Sequence, residues 1–159
     1  MELQGTHTAT GCRFAIIVSR FNENITEGLL AGAREVLAQA AVRDEDVTVV
    51  RVPGAFEIPV AALRLTESGQ FDAVICLGCL IKGDTMHFEY LASATSHGIM
   101  DASTTTGVPI AFGVLTTLTE EQAAERSGPG TNNKGREAAL AAVDMATLFK
   151  RLDHQGAGT

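Results

Sequence analysis

The sequence predicts an α/β/α sandwich built on a parallel sheet of four strands, and two observations carry that prediction. Four short runs, at 14–18, 47–52, 73–77 and 109–115, are almost continuously apolar and rich in β-branched residues. Strands covered by helices on both faces have this character, whereas half-exposed strands alternate. Around those runs, apolar residues recur at helical spacing. Strand and helix therefore alternate along the chain, the order that builds a parallel sheet.

The first strand, Phe14-Ala15-Ile16-Ile17-Val18, precedes a helix with Ile25, Leu29, Ala33, Val36, Leu37 and Ala40 on one face. An Asn24-x-x-Glu27 capping box is expected to open it. The second strand leads to a helix starting near Phe56 to Pro59, where proline fits a first turn, and stopping at Gly69. The third leads to a helix carrying Phe88, Leu91, Ala92, Thr95, Ile99 and Ala102. After the fourth, Thr119-x-x-Gln122 opens a short helix. The break Ser127-Gly128-Pro129-Gly130 then separates it from a long helix ending near Leu152.

At 159 residues the chain suits one domain, 13–153, large enough to bury a core without staples. Residues 1–12 form an amino-terminal arm, either loose or adding an extra strand, and the tail 154–159 is expected to be disordered. Net charge is -7 with no basic run, which disfavours a nucleic-acid partner. No apolar stretch approaches the roughly 18 residues of a membrane span, and the amino end lacks the features of a secretory signal. Three cysteines, an odd count, point to a reducing cytoplasm rather than a disulfide framework.

Ligands of open parallel sheets bind beyond the carboxyl ends of the strands, so the segments that follow each strand hold the candidate chemistry. Phe21 follows the first strand, where its ring either packs in the core or stacks on a heterocycle. Glu57 sits in the apolar string Ala55-Phe56-Glu57-Ile58-Pro59. Its carboxylate either complements a helix start or takes ligand hydroxyl groups. Gly83-Asp84-Thr85 precedes a helix whose free amides suit an anion, or Asp84 is simply the helix cap. His87, in the first turn of that helix, is either a surface imidazole or a proton carrier near neutral pH. Phe112 lies within the fourth strand and is core by default, and Arg126 and Lys134 are solvated charges or the jaws of a phosphate site. Cys76-Leu77-Gly78-Cys79 has a redox-like spacing, but no helix follows it and zinc would need further ligands, so both cysteines read as small buried residues. From residues alone, the expectation is a phosphate-bearing small molecule and a proton-transferring histidine.

Six segments in register resemble the lumazine synthase family. They are Arg20-Phe21-Asn22, Pro53-Gly54-Ala55-Phe56-Glu57-Ile58-Pro59, residues 78–90, Phe112-Gly113-Val114-Leu115-Thr116, Gln122-Ala123-Ala124-Glu125-Arg126 and Asn133-Lys134-Gly135. The resemblance implies a flavodoxin-like sandwich assembled into pentamers, with an amino-terminal strand joining a neighbour's sheet and active sites between adjacent subunits. It implies that Phe21 stacks on a pyrimidine ring, that Asn22, Ala55, Phe56 and Glu57 hold that substrate, and that Leu80 and Ile81 line the ring pocket. Gly83, Asp84 and Thr85 would bind phosphate, His87 would shuttle protons, and Phe112, Arg126 and Lys134 would reach in from the neighbour. The implied reaction condenses 5-amino-6-ribitylaminouracil with 3,4-dihydroxy-2-butanone 4-phosphate and needs neither cofactor nor metal. The short connection from Arg126 to Lys134 suits a sixty-subunit shell as well as free pentamers, and riboflavin synthase is a candidate partner. Cys79 departs from the family pattern, and the arm is more polar than an edge-adding strand. The rival readings are a non-catalytic flavin or lumazine binder, a redox protein using Cys76 and Cys79, and a structural shell protein.

Overall fold

The computed structural model describes residues 1–156. Its elements are β1 (Phe14–Ser19), α1 (Glu23–Gln39), β2 (Val47–Val52), α2 (Ile58–Glu67), β3 (Ala73–Ile81), α3 (His87–Thr106), β4 (Ile110–Thr117), α4 (Glu120–Glu125) and α5 (Lys134–Gly156). The four strands are parallel in the order β2-β1-β3-β4. β1 and β3 are central and almost wholly buried, which explains their unbroken apolar runs.

Strand pleat divides the core into two layers. Phe14, Ile16, Val18, Ile75, Leu77 and Leu115 meet α1 and α5 on one face. Ala15, Ile17, Val74, Cys76 and Val114 meet α2 and α3 on the other. Register is fixed by Ile16↔Ile75 and Ile17↔Cys76 across the centre, and by Leu80↔Thr116 toward the strand ends. The expected sandwich, its strand count and its helix order are all present.

Several boundaries differ from the sequence reading, each for a local reason. β3 runs on to Ile81 because β4 offers it continuous pairing partners, and Lys82 N extends the ladder by donating to Thr117 O at 2.9 Å. Cys79, Leu80 and Ile81 are thus strand residues rather than loop residues. α1 begins at Glu23, so Asn24 lies inside it and opens nothing, while Glu27 is ion-paired with Arg51 on β2. The Thr119 box is real: Thr119 Oγ1 accepts from Gln122 N at 3.1 Å, and Gln122 Oε1 accepts from Leu118 N at 2.9 Å. α5 continues through His154, Gln155 and Gly156, helical where the tail was expected to be loose, and 157–159 lie outside the described residues. The arm forms no strand within the single chain. It lies along α1 and α5, held by Thr6 N to Thr147 Oγ1 at 2.8 Å and Ala9 N to Ala40 O at 2.8 Å, with Ala9 and Cys12 buried.

Candidate active site

The carboxyl ends of β1, β2 and β3, with the first turns of α2 and α3, enclose a cleft of about 830 Å³. Beyond β1, the chain is tied to the end of β2 by Arg20 N to Val52 O at 2.8 Å and Phe21 N to Pro53 O at 3.0 Å. Phe21 therefore stands at the rim, the residue 68% exposed, and Phe56 stands nearby at 64%. Neither ring is used by the core. Asn22 occupies the N-cap position of α1 with φ 60° and ψ 47°, a left-handed conformation asparagine tolerates. Its side chain does not cap the helix. Instead Nδ2 donates to Cys79 O at 3.0 Å and fastens the β1–α1 corner to β3.

After β2, Gly54 leads into a 3-10 turn over Ala55–Glu57. Ala55 is buried, and its carbonyl accepts from Thr95 Oγ1 at 3.4 Å, which anchors the turn to α3. Glu57 is half-buried in the cleft wall, its N donating to Gly54 O at 3.3 Å and its carboxylate lying over Gly54, and among the described residues that carboxylate makes no hydrogen bond or ion pair. A carboxylate so placed has acceptor capacity to spare for a ligand's hydroxyl groups.

β3 supplies the floor through Cys79, Leu80 and Ile81. The chain then turns outward through 82–86, with Gly83, Asp84, Thr85 and His87 all exposed. Asp84 is not the cap of α3: that position falls to Met86, whose side chain makes no capping hydrogen bond. The first amides of α3 therefore face the loop, with Thr85 Oγ1 accepting from His87 N at 3.4 Å, an arrangement open to an anion. Lys82 and Glu89 pair at 3.5 Å beside this loop. Gly83, Thr85 and His87 line the cleft, whereas Asp84 does not. Pro53, Gly54, Cys79, Phe88 and Leu91 line it too and were not among the site residues expected from sequence. The helical spacing of Phe88 and Leu91 made them look like core alone.

A second cleft of about 600 Å³ opens along β4, the sheet edge, and gathers Phe112, Arg126 and Lys134. Phe112 is 39% exposed, so it is not a core residue: β4 has no further strand beside it to cover the ring. Arg126 donates from NH1 to Gln122 O at 2.9 Å, and Lys134 Nζ pairs with Glu137 at 2.9 Å. Among the described residues none lines both clefts. Apart from Asp84, the predicted site residues thus fall into two groups on one chain, one at the strand ends around Phe21, Glu57 and His87 and one cationic at the sheet edge.

Cys76 and Cys79 point to opposite faces of β3, Cys76 toward α2 and α3 and Cys79 toward α1 and α5, so they cannot pair. Burial pushes the Cys79 thiol up to about 11, with the Glu120 carboxylate adding to the effect, and pushes Cys76 up as well. Both stay protonated and inert near neutral pH. Among the described residues no cluster of His, Cys, Asp or Glu is placed to hold a metal ion, and no helix is long and apolar enough to cross a membrane.

Sheet order, helices on both faces and a cleft at the strand ends define a flavodoxin-like α/β/α domain built to receive a small molecule. Comparison with known proteins narrows the class. The sequence model of the 6,7-dimethyl-8-ribityllumazine synthase family matches residues 11–150. A Salinibacter ruber protein named 6,7-dimethyl-8-ribityllumazine synthase is 50% identical over 152 residues, covering 96% of this chain and 97% of the relative. The chain belongs to the 6,7-dimethyl-8-ribityllumazine synthase family and, as a member, is a transferase of riboflavin biosynthesis.

Proposed function

We propose that the two clefts are halves of one active site, each half supplied by a different copy of the chain. The site condenses 5-amino-6-ribitylaminouracil with 3,4-dihydroxy-2-butanone 4-phosphate to give 6,7-dimethyl-8-ribityllumazine, phosphate and water. One observation carries the two-copy reading. The ring-receiving cleft contains Phe21, Glu57 and His87 but no lining arginine or lysine, while Arg126 and Lys134 stand in the other cleft. A phosphate dianion bound only by the α3 amides would lack a fixed counter-charge, and arginine supplies one with a planar fork.

In this reading Phe21 stacks on the pyrimidine, Asn22, Ala55, Phe56 and Glu57 hold the ring and ribityl chain, and Leu80 and Ile81 line the pocket. Gly83, Asp84 and Thr85 take the phosphate through backbone amides and the Thr85 hydroxyl, and a neighbour's Arg126, Lys134 and Phe112 close the site. The primary amine of the pyrimidine attacks the ketone and water leaves as the imine forms. Phosphate then departs, the resulting enol tautomerises to a ketone, and the ribitylamino nitrogen closes the second ring with loss of a second water. His87, exposed at the first turn of α3 beside the phosphate loop, carries protons between these steps. Holding two reactive partners in register supplies much of the acceleration.

Assembly accounts for an unusual surface. Phe56, Val60, Met86, Tyr90, Met100, Phe112, Leu118 and Leu140 are all well exposed in the single chain. A pentamer, closed further into a sixty-subunit shell and associated with riboflavin synthase, gives such side chains partners. Three free cysteines suit the cytoplasm. The test is to mix the purified protein with both substrates, follow lumazine absorbance and phosphate release, and measure native mass in the same buffer. Turnover by particles of at least five subunits is expected. Turnover by a monomer would sink the shared site, and bound ligand without turnover would leave a passive binder.

A further inference from the structure

We infer that Asn133 is the positioning residue of the cationic half-site, fixing Arg126 and Lys134 from behind without meeting substrate. The inference rests on the reading of Arg126 as a phosphate anchor. Asn133 is 3% exposed and lines neither cleft, although Thr131, Asn132 and Lys134 around it line the cationic one. It directly precedes α5, and its Oδ1 accepts from Arg136 N at 3.0 Å, which caps the helix. Its Nδ2 donates to Gly28 O at 3.0 Å, Ser127 O at 3.1 Å and Gly128 O at 3.0 Å. Two amide hydrogens shared among three carbonyls leave no spare capacity.

A single side chain therefore joins the start of α5, the bend just after Arg126 and the second turn of α1. The backbone completes the clamp, since Lys134 N donates to Arg126 O at 2.8 Å. α1 admits the bend so closely only because it presents glycine there. A Cβ at Gly28 would run into Ser127 O, and one at Gly32 into Asn133 Oδ1. α1 is a long, well-packed helix, so it serves as an anvil for a segment that has no regular structure of its own. A guanidinium that must meet a phosphate with two bonds at once is sensitive to small displacements of its backbone, and misplacement of about 1 Å from a distant change can cost on the order of 10²-fold.

Asn133→Asp separates the two jobs of the side chain. The carboxylate still caps α5, but it sets an oxygen against three carbonyls and loses the clamp. In the assembled enzyme this variant should raise KM for the phosphorylated ketone by about 10–10²-fold. Affinity for the pyrimidine alone should be unchanged, and hydrogen exchange across 126–134 should rise. In an Arg126→Ala background it should add much less than it does alone, because the arginine contact is already gone and only the placement of Lys134 is left to disturb. Gly28→Ala, which pushes Ser127 away directly, should reproduce the ketone defect and serves if Asn133→Asp fails to fold. Unchanged exchange at 126–134, or losses that add fully in the double variant, would overturn the positioning role while leaving Arg126 as the anchor. Loosened exchange with Arg126→Ala itself silent would remove the phosphate reading and this inference with it.

Discussion

The two clefts are assembled by different means. The floor of the ring cleft is regular structure, with Cys79 only 2% exposed within β3 and the β1–α1 corner stapled to its carbonyl by Asn22. The cationic cleft has β4 for one wall, but its arginine sits at the end of a six-residue helix and is followed by an irregular loop. Stacking and apolar contact are weakly directional and tolerate small shifts, whereas a guanidinium fork on phosphate does not. On the proposed two-copy site, the contrast shows where precision has to be added: the ring half would inherit it from the sheet, and the charge half would need a buried amide to supply it.

Changes confined to one cleft should therefore have separable signatures. The largest is expected from His87→Ala, which should slow turnover by about 10²-fold while pyrimidine binding persists, because proton transfer is lost and the pocket stays intact. Turnover unchanged across pH would remove His87 from the mechanism. Next comes Arg126→Ala. A charge-assisted hydrogen bond is worth about 1.5–3 kcal/mol, so use of the phosphorylated ketone should fall roughly 10–150-fold. Calorimetry with the pyrimidine alone should show little change, and lysine should rescue only in part. Equal losses for both substrates would mean that the interface has collapsed. The smallest effect concerns the floor. The Cys79 thiol is pushed from its ordinary 9.0 up to about 11, so the unfolded chain releases that proton before the native one does. Its contribution to stability is complete below pH 9 and is lost as pH climbs toward 11. Urea midpoints should fall across that window, and Cys79→Ala should shallow the slope without abolishing activity. A variant that folded and assembled but was dead would mean the thiol takes part in chemistry.

The strand runs were legible in sequence because burial on both faces leaves an unmistakable apolar signature, as in Phe14-Ala15-Ile16-Ile17-Val18. Strand ends were not. Nothing in Cys79-Leu80-Ile81 says that β4 will continue to pair with it, since pairing is a non-local property. Capping was read correctly at Thr119, where the partner lies three residues away, and misread at Asn24, where the backbone follows tertiary demands instead; at Asp84, which sequence left open between cap and anion site, the cap position falls to Met86. Phe21 and Phe112 illustrate a second limit. Sequence offered core or ligand for the first and core for the second, and only topology reveals that one lies beyond a strand end and the other at a bare sheet edge. Asn133 escaped the site reading because its partners, Gly28 and Ser127-Gly128, come from two separate segments, and an asparagine before a helix looks like a cap and nothing more.

Because none of the described residues lines both clefts, a lesion in one is expected to leave the other whole on the same chain. The consequence is genetic. An allele carrying a damaged Phe21 still encodes a sound cationic surface, and an allele carrying a damaged Arg126 still encodes a sound ring surface. On the proposed ring with sites shared between neighbours, the two products, co-expressed and randomly mixed, would meet in the productive order at about one junction in four. Two alleles that each fail to support riboflavin synthesis alone should therefore support it together, and the fraction of activity recovered counts the junctions at which one subunit completes its neighbour.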